Sequence, residues 1–177
     1  MNDLRVFFSP DYCPPSQPPL YALGLAARAL VRRGLGRLRA PRRLTRERLE
    51  GLHCARYLDA FFTGTDPLAL SQGLRWMAAL RDATLAMLGG QLEGAEHALQ
   101  AGIAMNLGRG FQHAVYERGS GFCALNGLAL VAFTMPHRKI AVLDCDEHGG
   151  NGTAERAQRR RNRHMIAVAA EAVHGRQ

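Results

Sequence analysis

The stretch IAVLDCDEHGGNGT, residues 140–153, decides the fold. Its first four residues, Ile140 to Leu143, form an unbroken apolar run, the pattern of a strand covered on both faces in a parallel sheet, and the strand is expected over Lys139 to Asp146. A polar row follows: Asp144, Asp146 and His148, then Gly149, Gly150, Asn151 and Gly152. In an extended strand residues two apart share a face about 6.6 Å from each other, so Asp144 and Asp146 are expected to point the same way, with His148 continuing the row into the turn. Two like charges so placed repel and lose water, and a cation is the ordinary remedy. One carboxylate and one imidazole suit zinc or a neighbouring first-row divalent ion. The same Asp-x-Asp has a second reading, a turn or cap device whose side-chain oxygens accept from local backbone amides. Spacing alone leaves both open.

Outward from this stretch the chain alternates strands and helices. Arg5 to Ser9 reads as a short strand ended by Pro10 and a Pro-rich loop. Leu20 to Arg33 is amphipathic and stops near Gly34 and Gly36, and Cys54 to Phe62 is a shorter helix. Ser71 to Gly102 carries the longest helical pattern, interrupted by Gly89 and Gly90. Each glycine costs roughly 1 kcal/mol against alanine in a helix interior, so either the helix breaks there or another backbone packs close. Glu93, Glu96 and His97 on this helix miss the Glu-x-x-His spacing and read as an exposed polar face. A glycine-bearing loop spans Gly108 to Gly121, an apolar helix Phe122 to Phe133, a further helix Thr153 to Arg163 and a last strand Met165 to Ala170. Strands alternating with helices indicate an α/β fold, a parallel sheet flanked by helices, whose ligands bind beyond the carboxyl ends of the strands. Asp144, Asp146 and His148 sit at such an end.

Composition sets the outer limits. The 177 residues suit one domain of about 100 to 200 residues, and 47% hydrophobic content is enough for a core. No apolar run is long enough to span a bilayer, and the apolar stretch in MNDLRVFFSPDY is too short for a signal peptide, so a cytoplasmic protein with no membrane partner is expected. The four cysteines, Cys13, Cys54, Cys123 and Cys145, are scattered, which indicates neither a disulfide framework nor a cysteine zinc site. The net charge of +8 rests on arginine, Lys139 being the sole lysine. One cluster is Arg37, Arg39, Arg42, Arg43, Arg46 and Arg48; the other is Arg156, Arg159, Arg160, Arg161 and Arg163. Both read as solvated faces or loops. No aromatic residues interleave the second to stack bases, so nucleic acid is not expected as a partner.

Three segments in order, GRGFQHA (Gly108 to Ala114), GFCALNGLA (Gly121 to Ala129) and DCDEHGGNGT (Asp144 to Thr153), resemble the histone deacetylase and acetylpolyamine amidohydrolase family, zinc hydrolases with an arginase-like fold. VFFSPDY near the amino terminus and LHCARYLDAFFTG (Leu52 to Gly64) resemble it as well. The resemblance implies a single partial deacetylase-like domain over residues 1–177, incomplete on its carboxyl-terminal side. It implies that Asp146 and His148 are zinc ligands, that Asp144 takes a structural monovalent cation, commonly potassium, and supports the residue at 112, and that His113 is the general base and acid. Asn151 falls where that family orients the catalytic histidine, and Gly121 and Phe122 where it lines the acyl-lysine channel. The implied substrates are acetyl-lysine or acetylpolyamine-like amides, hydrolysed with metal assistance.

The chain also departs from that pattern. Gln112 stands where the first histidine of a pair is usual, and glutamine cannot carry a proton's charge. No aspartate or tyrosine follows His148, so neither the family's third metal ligand nor its carbonyl-polarising tyrosine is present, and Glu155 or Glu171 could substitute only after a rearrangement. The isolated chain is therefore expected to be inactive, completed by another chain or self-associating through an open sheet edge. The alternative is a catalytically dead remnant or interaction module. An arginase-type dimanganese hydrolase is a weaker reading, because Gly150 stands where it would want an aspartate.

Overall fold

A computed structural model describes residues 4–15, 20–159 and 165–169. The strands are β1 (Arg5–Phe7), β2 (Arg37–Arg39), β3 (Met105–Asn106), β4 (Ile140–Asp144) and β5 (Met165–Ala169); the helices are α1 (Tyr21–Arg32), α2 (Ala55–Thr63), α3 (Ala78–Ala101), α4 (Gly127–Thr134) and α5 (Asn151–Arg159). All strand pairs are parallel. Among the described residues they form two ladders, β2-β1-β3 and β4-β5, with Val6 opposite Leu38 and Met105 in the first and Val142 opposite Ala167 in the second. The α/β class with a parallel sheet flanked by helices holds: α3 packs against β1, β3 and α4, α1 against β2, and α5 against α4 and β5. No helix among the described residues is long and apolar enough to cross a membrane.

The core gathers around α3, whose Leu85, Ala86, Met87, Leu88 and Leu92 are buried with Tyr12, Leu49, Leu52, Tyr57, Leu58, Leu125 and Leu130. Gly89 and Gly90 do not break this helix. A backbone packs close instead. Leu44 donates its amide to Leu85 O at 3.2 Å, and Arg42 donates its own to Glu93 Oε1 at 2.9 Å. Between these bonds the segment crosses α3, where a Cβ on Gly89 would collide with the Arg42 carbonyl oxygen. Glu93 is thus an anchor for that segment rather than part of an exposed face, its side chain being only 19% accessible.

Several expected boundaries move for local reasons. α3 begins at Ala78 and not Ser71, because residues 71–77 turn through Gly73 at φ 87° after the 3-10 turn Pro67–Leu70. α4 begins at Gly127 because Asn126 caps it, its side chain accepting from the Ala129 amide at 2.9 Å. α5 starts earlier than expected, at Asn151, and Ala170, the expected last residue of β5, lies outside the described residues. β4 is shorter and less covered than its composition suggests: Leu143 is 74% exposed, since no layer among the described residues packs on that face. β2 and β3 escaped the sequence reading, being an exposed arginine-flanked edge and a two-residue pairing.

The arginine clusters divide. Arg43 pairs with Asp11 and Asp82, and Arg46 with Asp59, on partly exposed surfaces. Arg156 is no solvated residue. It is 6% exposed, donates to Gly51 O at 3.0 Å and lies 4.9 Å from the centre of the Tyr116 ring. Arg160, Arg161 and Arg163 lie outside the described residues, as does the side chain of Arg159.

The close crossing at Gly89 has a measurable consequence. Alanine is intrinsically better in a helix by about 1 kcal/mol, yet Gly89→Ala forces the Arg42 segment away and is expected to destabilise by about 1–3 kcal/mol. Gly94→Ala, whose Cβ would meet Phe7 at an ordinary 3.5 Å, is expected to stabilise by up to about 1 kcal/mol. Urea midpoints for the two variants should move in opposite directions; a rise for both would refute the crossing.

Candidate functional site

Three segments meet at the carboxyl end of β4: the loop 108–114, the turn 119–123 and residues 144–151. They enclose an open polar cavity of about 430 Å³, lined by Arg109, Gln112, His113, Gly121, Phe122, Asp144, Asp146 and His148 among others. The anticipated candidates thus face one space, except Asn151, which stands behind His113.

The acidic row is built by turns rather than by strand pleating, for β4 ends at Asp144. Asp144 Oδ1 accepts from the Asp146 amide at 3.1 Å, and Asp146 Oδ2 accepts from the His148 amide at 3.2 Å. Each aspartate folds the chain over itself as an Asx turn. These turns bring Asp146 Oδ2 to 3.2 Å from His148 Nδ1. The His148 amide, followed by the His148 ring, holds the Asp146 carboxyl below its ordinary range. Two vertices of a zinc tetrahedron with bonds of about 2.0–2.1 Å lie roughly 3.3–3.4 Å apart, so these donor atoms have the bite of a zinc edge.

That edge has no third corner among the described residues, where no cluster of three His, Cys, Asp or Glu side chains could hold a metal. Glu155 is engaged elsewhere, accepting from the Tyr116 amide at 3.0 Å, and Glu171 lies outside the described residues. Cys123 lines the cavity, burial pushes its thiol up, and its Sγ donates to Gly121 O at 3.4 Å. Asp144 Oδ2 is buried without a hydrogen-bond partner. The expected support of residue 112 by Asp144 is not made: no hydrogen bond joins Asp144 to the Gln112 side chain. An orphaned carboxylate oxygen of this kind suits a hard monovalent cation.

His113 is aimed from the opposite wall. Its Nδ1 lies 2.7 Å from Asn151 Oδ1, and because an amide oxygen can only accept, Nδ1 carries the proton and Nε2 the lone pair. The His113 and His148 rings are 6.0 Å apart, edge to face. Asn151 opens α5, and the Thr153 amide donates to Gln112 O at 3.0 Å. A Cβ on Gly152 would fall 2.6 Å from the His113 carbonyl carbon and 2.7 Å from Gln112 O, so only glycine lets the His113 loop rest on the first turn of α5. Gly121 backs directly onto the His113 ring, and Phe122 stands half-exposed at the mouth in a left-handed conformation, φ 61°.

Behind His113 lies a buried layer that sequence reading missed. Asn126 Nδ2 donates to Ala114 O at 3.0 Å, and the Asn126 amide donates to His53 Nε2 at 3.1 Å. His53 Nδ1 in turn donates to Val115 O at 2.8 Å. The one available signal was Asn126 before an apolar run, a cap pattern; His53 had none. Arg109, on the wall of the cavity, was likewise passed over.

Burial pushes His53 down to about 4, with Arg156 adding to the effect. The folded protein therefore keeps this ring neutral while the unfolded chain protonates near 6.5. The unfolded state binds more protons below that value, so this contribution is fully present above it and is lost as pH falls from about 6.5 to about 4, on the order of 3 kcal/mol in all. Urea midpoints taken from pH 7.5 to 4.5 should fall steeply for the wild type and less steeply for His53→Gln; parallel curves would refute this.

A family model described as the histone deacetylase domain matches residues 21–170. The crystal structure of the HDA15 HD domain superposes with a TM-score of 0.79 at 20% identity, covering 97% of this chain and 54% of that one, a likeness of fold. An uncharacterized protein of Picosynechococcus is 40% identical over 112 residues, 60% of this chain and 37% of its own length. Histone deacetylase 2 of Arabidopsis thaliana is 39% identical over 69 residues, 37% of this chain and 18% of its own. The chain thus spans well under half the length of these curated relatives. With the family match running over most of its residues, the chain belongs to the histone deacetylase family.

Proposed function

We propose that this chain carries one side of the catalytic centre of a zinc-dependent amide hydrolase acting on acetyl-lysine or acetylpolyamine-like substrates, and that it does not turn over by itself. The observation that carries the reading is the arrangement around the cavity: Asp146 Oδ2 and His148 Nδ1 are 3.2 Å apart, with His113 6.0 Å from His148 between ring centres and its Nδ1 tied to Asn151. In this reading Asp146 and His148 are zinc ligands, Asp144 holds potassium through its orphaned oxygen, and Gly121 and Phe122 wall the acyl channel. Zinc, when bound, polarises a carbonyl and acidifies a water. His113 offers Nε2 as the base that takes a proton and returns it to a departing amine, and Asn151 holds it in that tautomer. Gln112 stays neutral throughout.

The inactivity follows from the donor set. Structural and catalytic zinc sites use three or four protein ligands, and the described residues supply two, so no hydrolytic step is derived from them alone. That same shortage favours the second reading, a non-catalytic interaction module on this fold. A cytoplasmic setting belongs to the proposal, in keeping with four cysteines that are all free.

Equilibrium dialysis against zinc chloride tests the assignment. The wild-type chain is expected to bind zinc weakly, with affinity lowered roughly tenfold or more in His148→Ala and Asp146→Asn. Binding equal in all three would remove Asp146 and His148 as ligands. No acetate should be released from acetyl-lysine peptides or acetylated polyamines at any zinc level; release by the 177-residue chain would overturn the inactivity.

A further inference from the structure

Residues 13–46 hold eight arginines and no aspartate or glutamate. Arg42, Arg43 and Arg46 find acidic partners on other segments: Glu93 for the first, Asp11 and Asp82 for the second, Asp59 for the third. Arg28 and Arg32 on α1, and Arg33 at its end, do not. All three are exposed, and none pairs with a carboxylate among the described residues. The same surface leaves large apolar side chains in water. Leu25 is 60% exposed and Val31 49%, followed by Leu35 in the turn after α1 at 53% and Leu38 on β2 at 39%. Helical positions 21, 25, 28 and 32 share a face, so Tyr21 and Leu25 stand in line with Arg28 and Arg32. Ala27, on the other side, is buried where α1 rests on β2 and on the turn Pro10–Tyr12. β2 is the edge of its ladder, so among the described residues no strand continues past Leu38.

Single exposed leucines need no explanation, but here apolar side chains and guanidiniums without counter-charges share one short stretch of chain. The guanidiniums call for an anion, and the apolar groups decide which kind. A nucleic-acid backbone would take the arginines and leave the leucines without a partner. An acidic protein segment would want a groove, whereas these side chains project from a convex helix surface, and neither cavity of the molecule described above is lined by them. A bilayer surface meets both needs. Anionic headgroups receive the guanidiniums, whose aliphatic stems lie along the headgroup layer, and the acyl boundary beneath receives the leucines.

We propose that α1, the turn after it and β2 form a peripheral docking face for an anionic phospholipid bilayer, with Leu25, Val31 and Leu35 inserted below the headgroups and Arg28, Arg32 and Arg33 on the lipid phosphates. Such adsorption needs no spanning helix, so the lack of a long apolar run, which set the expectation of no membrane partner, does not bear on it. The inference stands on this face and is independent of the hydrolase reading.

Co-sedimentation of the 177-residue chain with lipid vesicles is the test. Binding is expected on vesicles of phosphatidylcholine mixed with phosphatidylglycerol and should be far weaker on phosphatidylcholine alone. Arg32→Gln combined with Arg33→Gln should weaken it about twentyfold, at roughly fivefold per arginine near such a surface. Leu25→Ser combined with Leu35→Ser should weaken it about tenfold. Arg138→Gln with Lys139→Gln removes the same net charge from the turn before β4 and should change binding less than about twofold. All the substituted positions are exposed, and circular dichroism verifies that each variant folds. No binding to the mixed vesicles, equal binding to both lipid compositions, or equal losses in the two charge-removing pairs would overturn the docking face. Binding unchanged in the leucine pair would mark a general polyanion surface, as would an equal loss by the arginine pair on duplex DNA or polyglutamate, and either would overturn the lipid assignment.

Discussion

The site depends on one buried carboxamide. Asn126 is fully buried, and its side chain serves two elements: Oδ1 caps α4 through the Ala129 amide, and Nδ2 holds Ala114 O in the loop that presents His113. Its backbone amide meets His53, which grips Val115 O on the same loop. An unpaired polar group in such a place costs about 1–3 kcal/mol, so each bond enforces the next, and a satisfied buried network specifies one arrangement. The loop cannot shift without stranding Asn126 and His53 together. α5 closes the clamp from the far side, through the Thr153 amide on Gln112 O and Asn151 on the His113 ring.

On the opposite wall the two meanings of Asp-x-Asp turn out to be compatible. Asp144 and Asp146 each spend one oxygen on a local amide, as a turn device does. Those same turns set the distance between Asp146 and His148. The amide held by Asp146 also stabilises its charged form and lowers its pKa, while Asp144 retains an oxygen without a hydrogen-bond partner among the described residues. Local backbone bonding thereby arranges donors for a ligand, and the bland reading of the motif supplies the geometry that the functional one needs.

Legibility in the sequence followed the range of the interaction. The run Ile140 to Leu143 and the long pattern of α3 report local forces, and they placed β4, α3 and the row Asp144, Asp146 and His148, while Gln112, His113, Gly121, Phe122 and Asn151 came from the resemblance to the deacetylase family. Gly89 and Gly90 raised the right alternatives, but only the Arg42 crossing chose between them. Arg156 misled because it heads an arginine-rich stretch of sequence, whereas Gly51 and Tyr116, its partners, are distant in the chain. His53 and Arg109 were silent for the same reason. Their environments are assembled by segments far apart in sequence, and no spacing rule encodes the encounter.

The two walls of the cavity are not equally supported, and this asymmetry bears on how it would take up the proposed ion. His113 stands on a loop clamped by buried polar groups, and Phe111 and Ala114 of that loop belong to the hydrophobic core. Asp146 and His148 hang from β4, whose Leu143 gains little from burial at 74% exposure; at about 25 cal/mol per Å² of apolar surface, a strand built for two covered faces forgoes much of its stabilisation there. Metal binding and folding draw on the same free energy when ligands sit on weakly held structure. Part of any cation's affinity is consequently spent on fixing β4 and its turns against the His113 side. Covering Leu143 would reduce that cost without touching Asp146 or His148, so in the proposed zinc-binding reading the packing of β4 bears on affinity alongside the identities of those two residues.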